Sequence, residues 1–466
     1  MWRAVKITVF GGTWEIGGNQ ILLEGRESRV FLDFGKNFAR EGMYFEDPYL
    51  TARKPQQLHE LGLLPRVPGL YRWEEGRVGN DRGEPEISGV LLSHAHLDHM
   101  DYVRYLREEI PIWAGDGTWR VILAREITSK KSAEERLAKF EDGAAALYDC
   151  VCVLRPNLKN FRTGRKVQVG EFEVNPVHVD HSMLASYGFI LHGPEGVVAY
   201  TGDIRFHGPK KEFSEEFLKK AEGCEVLITE GTNVLESRPS SEEEVREKAE
   251  KVVEKARGLV AASFSSMDID RMRTFSQVAR DNGRKLVLSM RQAALLEFVR
   301  PEVEAELVDL PFKLGDLGVK IYRRRKESTS DWEQKLKTYE TVDSSWVSEH
   351  QEEVLLFATY YDMLELLSIK PKPGSIFIYS ESEPWDEEGE IEFEKLANWL
   401  EFLGMPMFHI HASGHASSLE LAEMVERLSP KKVVVVHCER PALFKKFLGK
   451  TSTEVICPER GKPILL

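Results

Sequence analysis

Short apolar runs bounded by turn residues recur through the first half of the chain, and their spacing predicts buried strands. In chain order, the predicted strands cover residues 6–10, 20–24, 28–33, 90–92, 166–169, 172–177, 187–192, 197–203 and 226–230. Beyond residue 234 the pattern changes, because apolar runs now alternate with segments of helical spacing. The predicted helices there are 241–257, 268–282 and 291–299, and the predicted strands are 258–264, 285–289, 354–357 and 375–379. Such alternation is typical of a parallel α/β domain.

This change of pattern predicts how the chain divides. Serines followed by three glutamates around Ser241 are typical of a helix start. Near the end of the chain the first pattern returns, with a predicted helix over 417–428 and an apolar strand over 432–439. We therefore expect a first domain over 1–233, an inserted α/β domain over 234–383, and a segment over 384–466 that returns to the first domain.

The apolar run at 90–92 ends in a dense group of histidines, His94, His96 and His99, with Asp98 among them. Neutral imidazole and carboxylate are usual zinc ligands, and a catalytic zinc keeps one position open. If the segment leaves the strand extended, His94 and His96 can face one metal while the next residues face a second. The competing interpretation is an ordinary histidine-rich turn, but so dense a group of candidate ligands favours a metal site.

Further polar side chains follow other predicted strands. They are Asp33, His181, Asp203, Glu230 and His437. Two zinc ions need three or four protein ligands each, and one carboxylate can bridge them. Two metals about 3.5–4 Å apart can assist in-line displacement at a phosphoryl group. For Asp33, a turn cap and a role in supporting the site are both open.

Composition narrows the class of protein. Hydrophobic residues make up 42% of the 466 residues, which suffices for sizeable cores, and no apolar run is long enough to span a membrane. The first residues lack a signal-peptide pattern, and the five scattered cysteines argue against a disulfide scaffold. We therefore expect a soluble, cytoplasmic protein. Because the net charge is −13, a nucleic-acid ligand would require local basic groups or metal ions.

The order of the motifs resembles a known family. His94-Ala95-His96-Leu97-Asp98-His99 matches the HxHxDH signature of the metallo-β-lactamase fold. His181, Asp203 and Asp33 match further motifs of that fold. The resemblance implies a metallo-β-lactamase αββα sandwich, and the insert implies an additional α/β domain.

The insert and its flanking residues are similar to the β-CASP nucleases. Glu230 precedes the insert, and His415 and His437 follow it, as in motifs A, B and C of that family. The glycine loop at 11–19 and the segment at 411–415 are most similar to the ribonuclease J branch. The fold implied for the chain is thus a metallo-β-lactamase sandwich with an inserted β-CASP domain.

The resemblance also implies roles for individual residues. One metal would be held by His94, His96, His181 and Asp203, and the other by Asp98, His99, His437 and the shared Asp203. The implied cofactors are two zinc ions, with manganese as an alternative. The implied catalytic residues are Asp98, Glu230 and His415, with His415 as proton donor or transition-state contact and Glu230 supporting it. The implied phosphate contacts are Ser263, Ser266, Arg291, His411 and Ser413, and Asp33 is implied as structural support.

The implied function is a two-metal ribonuclease, a 5′-to-3′ exonuclease with endonuclease activity as an addition. Its partner would be single-stranded RNA, with no membrane and with a homodimer left open. The alternatives are a hydrolase of the same fold that acts on DNA or another substrate, and a non-catalytic RNA-binding subunit. The basic run Arg323-Arg324-Arg325-Lys326 is either a nucleic-acid contact or a solvated face.

Several positions depart from the family pattern. Trp14 and Gly18 in the glycine loop and Cys438 after His437 differ from the usual residues, and the segment 37–86 is longer than the norm. We expect 37–86 to form a partly helical flap beside the site. His178 and Asp180 are additional polar residues, for which structural roles are expected rather than metal ligation.

Overall fold

A computed structural model describes residues 5–46, 49–74, 86–129, 136–141, 147–236, 240–306, 314–315, 318–325, 329–382, 387–449 and 452–465. Within these residues the chain forms three seven-stranded sheets. The two strands β6 (Ala138–Phe140) and β7 (Val151–Val153) form a separate small antiparallel pair. The first two large sheets face each other, and the third belongs to the insert.

The first sheet has the order β23-β1-β2-β3-β4-β5-β8. Its strands are β1 (Lys6–Gly11), β2 (Gln20–Glu24), β3 (Ser28–Phe34), β4 (Glu86–Leu91), β5 (Ile112–Gly115), β8 (Leu158–Phe161) and β23 (Pro463–Leu465). The half from β23 to β3 is antiparallel, and the half from β3 to β8 is parallel. Strands β3 and β4 therefore end at the same edge, where Asp33 and the histidine cluster lie.

The second sheet has the order β22-β21-β13-β12-β11-β10-β9. Its strands are β9 (Val167–Val169), β10 (Phe172–His178), β11 (Tyr187–Gly193), β12 (Gly196–Tyr200), β13 (Val226–Glu230), β21 (Lys432–Val436) and β22 (Glu454–Ile456). The strands from β12 to β22 pair in parallel, and β10 runs in the same direction because it is two antiparallel steps away. His181, Asp203, Glu230 and His437 consequently lie at one edge of this sheet.

The inner faces of the two sheets form one buried core. It includes Val9 and Leu32 from the first sheet and Phe189, Ile228 and Val434 from the second. Helices cover both outer faces. They are α1 (Phe38–Gly42), α2 (Pro55–Glu60), α3 (Leu97–Met100), α4 (Asp116–Thr128), α5 (Lys211–Ala221), α13 (Ser418–Leu428) and α14 (Pro441–Leu448). This αββα arrangement is the predicted sandwich.

The third sheet is parallel throughout, with the order β17-β16-β15-β18-β14-β19-β20. Its strands are β14 (Val260–Ser263), β15 (Lys285–Ser289), β16 (Val319–Tyr322), β17 (Thr341–Val342), β18 (Val354–Phe357), β19 (Ile376–Tyr379) and β20 (Met407–His409). Its helices are α6 (Glu242–Val253), α7 (Ile269–Asp281), α8 (Met290–Glu306), α9 (Asp331–Lys335), α10 (Ser344–Glu349), α11 (Met363–Ile369) and α12 (Glu387–Leu403). Ser241 caps α6 by accepting a hydrogen bond from the Glu244 N–H, as its sequence predicts.

The insert packs on the sandwich through helix α4, which contacts α8. The apolar cluster outside the first sheet continues through Trp119 and Ile122 to Leu295 and Phe298 of the insert. The strand β20 pairs with β19, so the third sheet draws on residues beyond 383, where the sequence placed the end of the insert. The division into domains stays a prediction, and the third sheet extends as far as His409.

The long segment before the histidine cluster is described in part. It contains the short helices α1 and α2, and residues 47–48 and 75–85 lie outside the described residues. Among the helices that the structure describes, none combines the length and apolar character required to cross a membrane.

Candidate metal centre

Three histidines from both sheets converge beside Asp203. His94, His96, His181 and Asp203 each contribute one ligand atom, and these atoms lie within 4.8 Å of one another. His96 Nδ1 is 2.9 Å from His94 Nε2 and 3.2 Å from His181 Nε2. Asp203 Oδ2 lies 3.5 Å from His94 Nε2 and 3.7 Å from His181 Nε2. We call these four residues the first ligand group.

A second set of side chains shares the same carboxylate. Asp98, His99 and His437 form this second ligand group. Asp98 Oδ2 is 3.2 Å from His437 Nε2 and 3.8 Å from His99 Nε2. Asp203 Oδ2 is 3.2 Å from His99 Nε2 and 3.9 Å from His437 Nε2, so it lies between the two groups. The structure thus brings together all seven predicted ligands.

Hydrogen bonds fix which nitrogen of each imidazole faces the centre. His181 Nδ1 donates to the Gly414 carbonyl at 2.6 Å, and His437 Nδ1 donates to Thr232 Oγ1 at 2.8 Å. His99 Nδ1 donates to Asp33 Oδ2 at 2.7 Å. Each of these three rings therefore turns its Nε2 atom inward, which is the orientation that a metal ligand requires.

Asp33 organises the floor of the centre. Its carboxylate is fully buried and accepts hydrogen bonds from Ser93 N and Oγ, both at 2.7 Å, and from Tyr200 OH at 2.6 Å. Ser93 Oγ also accepts from His94 Nδ1 at 2.9 Å. With its bond to His99, Asp33 therefore orients one histidine of each ligand group. A backbone φ of 58° turns Asp33 into this position, and aspartate tolerates that conformation better than most residues.

The charges of the centre suit a bound cation. Burial lowers the pKa of His94 and of His181 well below the usual value, and burial lowers the pKa of His96 to about 4 despite the nearby carboxylates. These rings are neutral at pH 7, as metal ligands must be. Burial opposes ionisation of Asp203, but the surrounding histidines outweigh it and lower its pKa. Burial lowers the pKa of His99, but Asp203, Asp98 and Asp33 outweigh it and raise that pKa, so this end of the centre favours positive charge.

Two buried polar atoms in the centre have no hydrogen-bond partner in the described part of the chain that would satisfy them. Among the described residues, His99 Nε2 and Asp203 Oδ1 make no aligned hydrogen bond although both are shielded from solvent. Such atoms are costly to bury unless something else satisfies them. Histidine and aspartate donors at this spacing fit zinc, so the residues present fit two metal ions that share Asp203.

The glycine loop at 11–19 supports the second ligand group. The Gly12 carbonyl accepts a hydrogen bond from His437 N at 2.8 Å, and the Asp98 carbonyl accepts one from Asn19 N at 2.9 Å. A side chain at Gly17 would collide with the Asp98 carboxylate, since an added Cβ would lie 2.7 Å from Oδ2. The close approach of the Gly17 backbone to the Asp98 carboxylate therefore explains why this position is a glycine. Trp14 at the tip of this loop has a φ of 58° and is 52% exposed.

His415 lies beside the shared carboxylate and outside the two ligand groups, although with Asp203 and His437 it forms a third cluster of possible ligands. Its Nδ1 donates to Glu230 Oε2 at 3.0 Å and is 4.0 Å from Asp203 Oδ2. Burial lowers its pKa, but Glu230 and Asp203 outweigh burial and raise it to about 9. Glu230 is itself held by hydrogen bonds from Ile204 N and Thr232 N. A protonated imidazole is thereby held next to the metal ligands.

Two buried arginines hold the segment that carries His415. Arg205 donates to the Ser413 carbonyl at 3.2 Å, and Arg271 donates to the Ala412 carbonyl at 3.1 Å. Arg205 Nε also donates to Asp180 Oδ1 at 3.0 Å. This additional aspartate therefore has a structural role and is not in either ligand group. His178 likewise lies apart from the ligand groups and contacts Thr163.

The five predicted phosphate contacts lie at different strand ends. Ser263 ends β14, and its hydroxyl donates to Glu381. Ser266 and Arg291 line a cleft in the insert. His411 Nδ1 lies 3.2 Å from the Ser380 carbonyl, and Ser413 Oγ accepts from Asn233 Nδ2 at 2.7 Å. The structure therefore brings Ser266 together with Arg291, whereas His411 contacts Ser380 and Ser413 lies beside His415.

Some residues that shape the site carry no signal in the sequence. Tyr200, Thr232, Arg205 and Arg271 reach the centre only through the fold, since each is distant in sequence from its partner. Ser93 could have been suspected, because it directly precedes the histidine cluster. Lys326, the last residue of the predicted basic run, lies outside the described residues.

Comparisons with known proteins agree with this geometry. Residues 69–272 match the family model described as beta-lactamase superfamily domain. Residues 405–458 match the model described as Zn-dependent metallo-hydrolase RNA specificity domain. The first of these segments contains the histidine cluster, His181 and Asp203, and the second contains His415 and His437.

Several curated relatives are named ribonuclease J. The chain is 24% identical to that of Helicobacter pylori strain J99 over 99% of this chain and 59% of the relative. It is 26% identical to that of Thermus thermophilus, over 93% of this chain and 68% of the relative. It is also 26% identical to that of Pyrococcus abyssi, over 94% of this chain and 91% of the relative. The chain thus spans only 56% to 59% of the length of the Helicobacter pylori relatives.

A solved structure supports the fold. The crystal structure of a protein of unknown function from Enterococcus faecalis V583 matches 99% of this chain and 100% of its own, with a TM-score of 0.74 and 22% identity. The αββα sandwich and the two matched family models show a metallo-β-lactamase fold with an RNA specificity domain, and nearly the whole chain is similar to proteins named ribonuclease J.

Proposed function

We propose that this protein is a two-metal ribonuclease that hydrolyses RNA phosphodiester bonds, chiefly as a 5′-to-3′ exonuclease with additional endonuclease activity. The observation that carries the proposal is the position of Asp203, whose Oδ2 lies within 4 Å of four ligand histidines and of His415. The relatives named ribonuclease J support RNA as the substrate class. Zinc is the proposed metal, with manganese as the alternative, and the cytoplasm is the proposed location.

The two ligand groups provide donors for two metal ions. His94, His96, His181 and Asp203 would hold one ion, and Asp98, His99, His437 and Asp203 would hold the other. When bound, two such ions stabilise the charge that develops on a phosphodiester during in-line displacement. Asp33 and Thr232 keep the ligand imidazoles in the tautomer that the metals require.

The chain's own acid–base chemistry centres on His415. Because its pKa is raised to about 9, the imidazole is protonated at neutral pH and can donate a proton to the leaving oxygen. Glu230 holds Nδ1, which leaves Nε2 to face the substrate. Glu230 therefore supports both the charge and the orientation of the proposed acid.

A terminal phosphate pocket would explain 5′ exonuclease polarity. We place its nearest donors on His411 and Ser413, because both lie in the segment that leads to His415. Ser413 Oγ accepts bonds from Asn233 Nδ2 and His415 N, so its hydroxyl hydrogen remains to donate to phosphate. Ser263, Ser266 and Arg291 complete the predicted set.

The alternatives differ in what they require of the site. A non-catalytic RNA-binding subunit has no use for a complete set of buried ligands with fixed tautomers. An enzyme for small esters would not need a second domain beside the metal centre. A DNA-directed enzyme uses the same phosphodiester chemistry, and the experiment therefore includes DNA.

The test compares labelled RNA with a 5′-monophosphate, the same RNA with a 5′-triphosphate, and DNA of matching sequence. We expect mononucleotides to be released from the 5′ end, fastest with the monophosphate. Ser413→Ala should weaken this preference and spare internal cleavage, because Ser413 lies beside His415. Laddering from the 3′ end, or equal rates for both 5′ groups, would refute the 5′ polarity. Elemental analysis should find two metal ions per chain, and less than one, with no gain on adding zinc or manganese, would count against the metal centre.

A further inference from the structure

His207 lies against the segment that carries His415 and links this segment to helix α13. It belongs to the loop that follows β12, and its side chain is only 9% exposed. Its Nε2 is 3.1 Å from the Ser413 carbonyl oxygen, and its Nδ1 is 3.0 Å from each carboxylate oxygen of Glu420. Glu420 lies in the first turn of α13. The ring therefore bridges the segment with the proposed acid and the helix that follows it.

Both ring nitrogens of His207 face groups that can only accept a hydrogen bond. A backbone carbonyl has no hydrogen to donate, and neither has an ionised carboxylate. Burial raises the pKa of Glu420, but hydrogen bonds from His207 and Ser417 outweigh it and lower that pKa, so the carboxylate is ionised at neutral pH. A neutral imidazole carries one N–H, whereas a protonated imidazole carries two. Only the protonated ring can therefore make both hydrogen bonds at once.

Loss of the second proton would break the contact with the Ser413 carbonyl. Hydrogen bonds to an ionised carboxylate are stronger than those to a neutral carbonyl. The neutral ring would therefore keep its hydrogen on Nδ1, where it faces Glu420. Its Nε2 would then turn a lone pair toward the lone pairs of the Ser413 carbonyl, and the segment would lose this tie.

The neighbouring charged groups are held by other partners. Arg205 Nη1 donates to the same Ser413 carbonyl at 3.2 Å, but Arg205 is fixed by Asp180 at 3.0 Å and by Asp270 at 3.4 Å. Lys210, further along the loop, pairs with Asp270 at 2.8 Å. These groups keep their charges whether or not His207 is protonated, so they do not replace its hydrogen bond.

Ser413 connects directly to the proposed acid. Its Oγ accepts from the His415 backbone N–H at 3.2 Å. Asn233 Nδ2 donates to this Oγ at 2.7 Å and to the His415 carbonyl at 3.1 Å. A shift of Ser413 is therefore passed to the backbone of His415. Misplacement of a catalytic group by about 1 Å can lower a rate about 100-fold, so a small shift matters here.

We infer that His207 is a positioning residue whose protonated ring clamps the Ser413 carbonyl to Glu420 of α13, so that the segment carrying His415 is held firmly only while His207 keeps its proton. The inference rests on the proposed function for the role of His415 in cleavage. The clamp itself is a property of the fold, and it adds a control by pH that lies outside the metal ligands.

Two variants of the clamp have opposite expected effects. His207→Ala removes both contacts. Glu420→Gln should preserve them with a neutral ring, because its amide oxygen can accept from Ser417 N while its amide N–H donates to Nδ1 of His207. The neutral ring is then free to carry its hydrogen on Nε2 and donate it to the Ser413 carbonyl. The matched control His192→Ala replaces an exposed histidine on β11.

Hydrogen exchange of the backbone amides in 411–416 measures the clamp without any substrate. Mass spectrometry gives protection factors, which correct for the intrinsic effect of pH, from about pH 6 to about pH 8.5, on both sides of neutrality. In the unaltered protein and the control, protection should fall at least about tenfold as the pH rises, as expected for loss of a hydrogen bond with a charged partner. Glu420→Gln should keep its protection, and His207→Ala should lack it at every pH.

Cleavage of RNA provides the second readout. The kcat of Glu420→Gln relative to the unaltered protein should rise about tenfold over the same pH range, because only the variant keeps the acid in place. His415 is present in both proteins, so its own titration cancels in this ratio. At the lowest pH, His207→Ala should have a kcat about tenfold below that of the control, with the same metal content.

The results separate the clamp from the proposed function. Equal losses of protection with pH in Glu420→Gln and the unaltered protein would overturn the dependence on the His207 proton. Protection in His207→Ala equal to that of the control would overturn the clamp itself. If protection follows the expected pattern but kcat does not, His207 stabilises the segment without positioning the acid, and the inference is wrong. If no protein cleaves RNA and protection still follows the pattern, the clamp stands and the ribonuclease proposal fails.

Discussion

The Asp33 carboxylate accepts a hydrogen bond of 2.7 Å from Nδ1 of His99, with both side chains fully buried. The same carboxylate reaches His94 through Ser93 and ties in Tyr200 from the opposite sheet. One residue outside the ligand groups therefore sets the tautomer of a ligand in each group. Asp33 lies on β3, far in sequence from most of the candidate ligands that it helps to orient.

Replacing Asp33 by asparagine should weaken metal binding about 10- to 100-fold, the usual effect of losing a partner that orients a ligand. Asparagine keeps the shape and tolerates the positive φ of 58°, but its amide group cannot accept from all four donors. Zinc affinity is measured by competition with a chelator. Asp281→Asn is the control, since Asp281 is exposed at the end of α7. Equal zinc affinity in the two variants would show that Asp33 does not tune the metals.

His415→Ala should lower the single-turnover cleavage rate by about 10²- to 10⁴-fold, as expected for the loss of a general acid. Metal content should stay near that of the unaltered protein, because Glu230 holds His415 Nδ1 and each proposed ion has a full set of ligands without His415. Glu230→Gln should lower the rate less, since it removes the carboxylate that holds the imidazole but not the imidazole itself. Rate and metal content are measured on the same samples. A full rate at saturating substrate in His415→Ala would exclude His415 from the chemistry.

Arg271→Lys should both destabilise the protein and impair cleavage. Arg271 is buried and bridges Glu242, the Ser380 carbonyl at 2.8 Å and the Ala412 carbonyl at 3.1 Å. A lysine keeps the charge but cannot span these partners, and each buried group left without a partner costs about 1–3 kcal/mol. Denaturant unfolding measures the loss. Arg246→Lys on the exposed face of α6 is the matched control and should change stability by less than about 1 kcal/mol.

A second readout distinguishes positioning from simple stability. Because Arg271 holds Ala412, three residues before His415, its replacement should lower kcat at temperatures where the variant is fully folded. An unchanged kcat would mean that Arg271 stabilises the junction without positioning the acid.

Much of this molecule follows from local sequence pattern. The candidate metal ligands at strand ends could be predicted because an apolar run that stops at a polar residue marks a sheet edge. The insert's strands β15 and β18 match their predicted limits because each is a continuous apolar run between clear helix signals. The helix α13 (Ser418–Leu428) likewise matches the helix predicted over 417–428, and Ser417 caps its first turn.

The remainder depends on contacts that no local pattern records. The strand β20 reads Met-Phe-His, is only partly shielded, and joins the third sheet only because β19 offers a parallel edge. Arg205 and Arg271 look like ordinary surface charges in the sequence, yet both are buried among carboxylates and carbonyls. The position of the basic run at 323–325 could not be predicted, because the sheet order alone brings Arg323 and Arg324 into the same cleft as Arg291.

His178 should make the protein sensitive to acid. Its Nδ1 accepts a hydrogen bond of 2.8 Å from Thr163 Oγ1, which in turn accepts from the His178 backbone N–H, and its ring stacks on Tyr187 with centroids 4.2 Å apart. Burial, with a smaller contribution from Lys210, lowers the pKa of His178 to about 3. The folded protein therefore holds this ring neutral, whereas the unfolded chain protonates it below about pH 6.5.

The sign of the pH effect follows from proton uptake. Above about pH 6.5 neither state binds the proton at His178, and the residue adds no pH dependence. Between about pH 6.5 and pH 3 the unfolded chain binds one more proton at this position, so stability falls as the pH falls. At pH 5 the loss amounts to about 2 kcal/mol, which corresponds to 1.5 pH units at about 1.4 kcal/mol each. His178→Asn, whose amide oxygen can accept from Thr163, should lack this loss.

The measurement is the free energy of unfolding at pH 7.5 and pH 5 for the unaltered protein and the variant. Titration of the ligand histidines affects both proteins and cancels in the difference. The difference between the two pH values should therefore be about 2 kcal/mol smaller in His178→Asn. The control His192→Asn, which replaces an exposed histidine on β11, should behave like the unaltered protein. If His178→Asn loses as much stability on acidification as this control, His178 is protonated in the folded state and its buried, neutral assignment is wrong.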